Sequence, residues 1–172
     1  MRRATGSIVV VGCVLAGLVS AATPAAAVGQ ATCAGSSTST YSPGITNTPQ
    51  SVAVSYSTTY STCLSLTNPA LTSASSSSSV TIDTSCTALP SGTGSSTITF
   101  NTGQTMTYSF TYVTTEANGE AVVTQTGTVT GGLFTGSIVA RQVVYLTTDL
   151  AACSNPGGLT GITGTALLNV LL

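Results

Sequence analysis

From Ser51 onward, apolar and polar positions alternate along most of the chain, the period of a strand with one covered face. Val52, Val54 and Tyr56 share one side of Ser51–Tyr56. The same alternation predicts strands over Tyr60–Leu66, Val80–Cys86, Ser95–Phe100, Thr105–Glu116, Glu120–Thr130, Leu133–Leu146 and Thr163–Leu171. Gln30–Gln50 reads as a lead-in with a turn at Ser42-Pro43-Gly44, and Asn68–Ser79 as a loop whose run Ser75–Ser79 has nothing to bury.

Two turns set the register of the central strands. Asn118-Gly119 is a strong two-residue hairpin signal, because both residues tolerate positive φ. It pairs Tyr108 with Val129, Phe110 with Gly127 and Tyr112 with Gln125. Gly131-Gly132 reads as a second two-residue turn, which would pair Val129 with Phe134, Gln125 with Ile138 and Val123 with Ala140. Together they predict one apolar face of Met106, Tyr108, Phe110, Val123, Val129, Phe134, Ile138 and Ala140. The opposite face carries hydroxyls: Thr107, Ser109, Thr111, Thr124, Thr126, Thr128, Thr130, Thr135 and Ser137. Apolar-in, polar-out alternation belongs to an antiparallel sheet with one wet face. A second sheet from the N-terminal strands and Thr163–Leu171 would cover the other side. The expected fold is therefore all-β, an antiparallel two-sheet β-sandwich with about seven to nine strands.

Composition narrows the chemistry. The 172 residues are 42% hydrophobic but only 4% charged, with no His and no Trp. The bases are Arg2, Arg3 and Arg141, and the acids Asp83, Glu116, Glu120 and Asp149. Without a basic patch nothing neutralises phosphates, so nucleic acid is excluded as a partner. Without His or Lys, triads, Schiff bases and Lys-bearing phosphate loops are excluded too. Glu116 and Glu120 fall on opposite faces of their hairpin and cannot act as a glycosidase pair. Asp83 or Asp149 is a structural partner for Arg141. No metal site and no cofactor is expected.

Residues 1–27 read as a signal peptide: Arg2-Arg3, the apolar run Ile8–Val19, and Ala25-Ala26-Ala27 before a mature start at Val28. Arg2-Arg3 as a twin-arginine signal and Cys13 as a lipidated cysteine are weaker readings. The mature domain is 28–172, secreted or associated with the cell wall. Its C-terminal Ala166–Leu172 is too short for a membrane anchor and reads as a final buried strand, leaving no transmembrane segment after cleavage. Cys33, Cys63, Cys86 and Cys153 form two disulfides in an exported chain, with three connectivities possible. Cys33–Cys63 with Cys86–Cys153 is preferred, the second closing a long loop between distant strands.

The motifs Thr32-Cys33-Ala34-Gly35, Tyr41-Ser42-Pro43-Gly44-Ile45-Thr46, Gly131-Gly132-Leu133-Phe134-Thr135-Gly136 and Ala152-Cys153 with Gly157-Gly158-Leu159 span most of the mature chain. In these the chain resembles small exported actinobacterial proteins with an Ig-like β-sandwich and no assigned function. The resemblance implies a secreted sandwich and no activity. In composition the chain also resembles antibiotic-carrying apoproteins of the neocarzinostatin type, from whose cysteine spacing it departs.

Two non-enzymatic functions follow. One is a structural or surface-interaction module of the cell envelope, with an extracellular or cell-wall partner. Its Thr124, Thr126, Thr128 and Thr130 would form a Thr-x-Thr lattice of the kind that binds ice or crystalline surfaces. The other is a soluble binding module or inhibitor for a carbohydrate, small molecule or foreign enzyme, with Tyr41, Tyr56, Tyr60 and Tyr145 as a stacking platform. A Tyr-lined pocket favours the second; a flat, featureless wet sheet favours the first.

Overall fold

The structure, a computed structural model, describes residues 29–172. The expected signal peptide, Cys13 and the start at Val28 lie outside the described residues. Eight strands follow one another: β1 (Gly29–Ile45), β2 (Gln50–Ser65), β3 (Ala74–Thr84), β4 (Ser91–Phe100), β5 (Thr105–Ala117), β6 (Glu120–Gly132), β7 (Ile138–Leu146) and β8 (Leu159–Leu171). A 3-10 helix, Thr147–Ser154, lies between β7 and β8. Each strand pairs antiparallel with the next, and β8 returns to pair with β1.

The result is all-β as expected, but it is one closed barrel and not a two-sheet sandwich. The correction comes from β1 and β8. The residues of β8 were expected to help build a second sheet, and those of β1 only to lead into it. Instead they pair with each other from Gly29↔Leu171 to Thr40↔Gly161, closing a single sheet on itself. Most of the stretch read as a lead-in, Gln30–Gln50, belongs to β1, the longest strand of the barrel, and Ser75–Ser79, read as a loop, is paired to β2 throughout.

Alternation puts one set of side chains inside. Cys33, Cys63, Leu71, Ile98, Phe100, Met106, Val129, Val139, Leu168 and Val170 fill one end almost without exposure. Outside, hydroxyls pair across strands: Thr38 with Thr163, Ser55 with Ser79, Thr97 with Thr107 and Thr111 with Thr126. Such pairs stabilise by about 0.2–1 kcal/mol each. Both disulfides form in the preferred pairing, Cys33–Cys63 across β1 and β2, and Cys86–Cys153 from the β3–β4 connection to the 3-10 helix.

The first hairpin has the register its turn predicts, with Tyr108↔Val129, Phe110↔Gly127 and Tyr112↔Gln125. Asn118 and Gly119 both have positive φ, at 54° and 81°. The second hairpin differs. Its strands pair Thr128 with Ile138, Gln125 with Arg141 and Val123 with Val143. The turn runs through 133–137, where Phe134 takes φ 61° and Gly136 φ 90°. The Phe134 ring packs edge-on against Phe100, centroids 6.2 Å apart, and this contact offsets the left-handed backbone. The pairing is displaced by three residues, an odd number, so β7 shows its other face to the interior. Ile138 and Ala140 point outward; Val139, Arg141, Val143 and Tyr145 point in.

The wall has one weak seam. β3 and β4 pair only at Ala74↔Phe100 and Ser75↔Thr99, although each is fully paired on its other side. Beyond these two pairs the strands diverge. Their connection crosses the same end of the barrel, held by Cys86 N–H donating to the Thr46 carbonyl, by Thr114 N–H donating to the Pro90 carbonyl, and by the disulfide to Cys153.

Candidate functional site

Most of the large buried side chains crowd one end of the barrel, while Ile45, Val52, Val54, Leu159 and Ile162 pack at the other. Between them lies a cavity of about 510 Å³, opening between β3 and β4. Ser76–Val80 forms one lip and Thr93–Ser96 the other. The side walls carry Tyr41, Tyr56, Phe110, Tyr112, Val123 and Tyr145, and Leu150 of the 3-10 helix closes in from the covered end. An eight-stranded barrel is just wide enough either to fill with side chains or to hold one small ligand. Here buried side chains fill one end and Val52 and Val54 pack at the other, while between them the rings stand along the walls.

Glycine makes the wall space. A Cβ at Gly94 would meet Phe110 Cζ at 2.8 Å, and one at Gly92 would meet Tyr112 Cε1 at 3.1 Å. The two rings therefore lie flat along the backbone of seam strand β4, an arrangement that shields edge glycines. Tyr108, Phe110 and Tyr112 form a continuous aromatic column, with centroids 5.4 Å and 6.4 Å apart.

The floor is polar and holds one cation. Arg141 is 9% exposed. Its Nε donates to Tyr60 Oη at 2.9 Å, and its Nη2 to Thr58 Oγ1 at 2.8 Å and Ser37 Oγ at 3.4 Å. Ser37 and Thr58 also bond each other at 2.8 Å. All these partners are neutral hydroxyls. Neither expected carboxylate partner is seen: Asp83 sits on the outer side of β3, opposite exposed Ser51, and the side chain of Asp149 lies outside the described residues. Opposite Arg141 across β6 and β7 stands Gln125, whose Oε1 accepts from Tyr108 Oη at 3.0 Å. Higher on β5, Thr114 is among the lining residues, and its Oγ1, which is sealed from solvent, is the buried side-chain polar atom that lacks a partner among the described residues.

Burial shapes the electrostatics. Desolvation pushes Tyr108 and Tyr56 up to about 12, and drives Tyr41 and Tyr60 upward as well. These phenols are thus neutral under ordinary conditions. For Arg141, burial works against the charge, but the surrounding Tyr60, Tyr108 and Tyr145 hold its pKa above the ordinary value, and it stays a cation.

The structure gathers the expected tyrosines but turns them inward. Tyr60 is fully buried, and Tyr41, Tyr56 and Tyr145 line the cavity instead of an outer platform. Thr124, Thr126, Thr128 and Thr130 lie on the outer wall of β6, away from the cavity. Glu116 reaches the cavity rim while Glu120 lies exposed and outside its lining, so no carboxylate pair forms there. Sequence reasoning missed Arg141, Gln125, Phe110 and Tyr112 as site residues. A signal was present: Val139, Arg141, Val143 and Tyr145 alternate, with the cation as the single exception. Among the described residues no group of three His, Cys, Asp or Glu side chains could hold a metal ion, and no helix is long and apolar enough to cross a membrane.

No protein-family model matches the chain, and no match is found among curated proteins or among solved structures.

Proposed function

We propose that the protein is an exported, non-enzymatic binding barrel that holds one small, largely apolar molecule in its cavity. The observation that carries this reading is the space itself: about 510 Å³, lined by four tyrosines and Phe110, with an opening between two strands. Pockets that enclose drug-sized ligands span roughly 300–1,000 Å³ and combine apolar walls with a few polar groups. Two disulfides are consistent with an oxidising, extracellular setting. The hydroxyl-rich outer wall is the reverse of the apolar band a lipid-facing barrel needs.

The surface-interaction reading has less to rest on. On the outer wall, Thr126 already bonds Thr111 across the strands, and the sheet there is curved by barrel closure.

The test is titration with N-phenyl-1-naphthylamine, a neutral aromatic probe that fluoresces in apolar surroundings. Saturable one-to-one binding is expected. Ala121 lines the cavity beside Tyr145, so Ala121→Trp fills the space and should abolish binding while leaving the far-ultraviolet dichroism intact. No saturable binding, or binding indifferent to Ala121→Trp in the folded variant, would refute the proposal.

A further inference from the structure

A cation held inside a barrel by neutral hydroxyls alone is an incomplete arrangement. Arg is almost never buried unless paired, and removing its charge from water costs several kcal/mol that neutral dipoles offset only in part. Here the guanidinium uses Nε and Nη2 on Tyr60, Thr58 and Ser37, while no described residue accepts from Nη1. Arg141 lines the cavity, as does Gln125 directly opposite it on β6. The Gln125 oxygen is engaged by Tyr108, and its amide Nε2 donates to no described residue. A guanidinium edge and an amide N–H thus stand together on the cavity floor, and both are donors. Above them the walls become aromatic and aliphatic, with Phe110, Tyr112, Val123 and Val143.

We infer that the ligand is an amphipathic monoanion: an oxyanion head, carboxylate or sulfonate, seated on Arg141 and Gln125, and an apolar body lying along the aromatic column toward the β3–β4 opening. The head supplies the charge the interior lacks, and planar oxyanions match the guanidinium fork. Arg141 is the only base in residues 29–172, and the fold places it at the bottom of the cavity and not on the surface.

This inference rests on the cavity-binding reading, and the experiment separates the two. Protein secreted from the full-length chain, with disulfides formed, is titrated with N-phenyl-1-naphthylamine and with 8-anilinonaphthalene-1-sulfonate, which adds an anionic head to the same aromatic body. The sulfonate should bind about ten-fold tighter or more, the size of effect expected for a charge-assisted hydrogen bond in a buried site. Arg141→Met should bring the ratio of the two affinities to about one. Arg141→Lys, which keeps charge but not the fork, should retain part of the preference. Should Arg141→Met fail to fold, competition of 1-naphthoate against 1-naphthamide for the wild-type cavity reads the same preference, and the carboxylate should win by a similar factor. A neutral probe that binds with no preference for the anion overturns the inference and leaves the binding barrel standing. So does a preference that survives Arg141→Met. Failure of every probe to bind overturns both.

Discussion

Tyr60 and Arg141 form a pair whose removal one side at a time should hurt more than its removal together. Tyr60 is fully buried, and its oxygen accepts from Arg141 Nε at 2.9 Å. Tyr60→Phe deletes that acceptor and leaves a charged donor sealed without a partner. Hydrogen bonds to charged groups contribute about 1.5–3 kcal/mol, so a loss of about 2–3 kcal/mol is expected. Arg141→Met acts from the other side. It relieves the burial of a cation, worth up to a few kcal/mol, but strands the Tyr60 phenol at a cost of about 1–3 kcal/mol. These nearly cancel, and the variant should lie within about 1 kcal/mol of wild type. Ser37 and Thr58 do not add to the cost, because they bond each other at 2.8 Å. The double variant has neither orphan and should be at least as stable as wild type. The coupling energy of the cycle is then about 2 kcal/mol or more. Urea unfolding followed by far-ultraviolet dichroism, with disulfides intact and the slope checked between variants, measures all four corners. Additivity within about 0.5 kcal/mol would mean that the guanidinium and the phenol do not depend on each other, and the account of the cavity floor would fail.

Alkaline conditions should unfold the barrel early. Phenols of the unfolded chain ionise near pH 10, while burial holds Tyr108 and Tyr56 at about 12 and raises Tyr41 and Tyr60 too. Below pH 10 both states keep their protons and stability is complete; above it the unfolded state releases them first. Stability is then lost as pH climbs toward 12, by about 1.4 kcal/mol per pH unit for each fully buried phenol. Phenolate absorbance that rises near pH 10 for every tyrosine while dichroism stays native would contradict this. In β6, Gly127→Ala should cost about 3 kcal/mol, because its Cβ would fall 1.9 Å from the Ser109 carbonyl oxygen and 2.8 Å from Phe110 Cα. Gly131→Ala meets nothing within 4 Å and should stay within about 0.5 kcal/mol of wild type by thermal or urea melts.

The residues made some of this readable and hid the rest for definite reasons. Asn118-Gly119 dictates a turn geometry, and the β5–β6 register followed from it as far as Tyr108, beyond which a bulge shifts the last two pairs. Gly131-Gly132 looked equally decisive, yet the chain turns later, through Phe134, because that ring has a place beside Phe100 that only the assembled core reveals. On β7 both alternations look acceptable: Ile138, Ala140, Val144 and Leu146 are as apolar as Val139, Val143 and Tyr145. The set with Arg141 looks worse from pattern alone, and it is the one that faces inward. Sandwich and barrel share the same local alternation. What separates them is the pairing of β1 with β8, a contact between the two ends of the chain that no local pattern announces. The tyrosines were legible as a group but not their direction, since inside and outside exchange with each odd shift of register.

The seam between β3 and β4 also bears on how the protein behaves at high concentration. Beyond their two shared pairs, the strands present unsatisfied backbone donors and acceptors, the usual template on which a second copy adds a strand and aggregates. Many proteins guard such edges with lysine, which this chain lacks. Here the unpaired edges open with Ser76–Ser79, ahead of Val80, on one side and run through Ser91, Gly92, Thr93, Gly94, Ser95 and Ser96 on the other. A strand added there would gain backbone bonds but, apart from the exposed Val80, find little apolar surface to bury. Small hydroxyls thus keep the seam open while giving a neighbouring copy little to hold, and replacing the serine run with valines would turn it into a nucleus for fibrils.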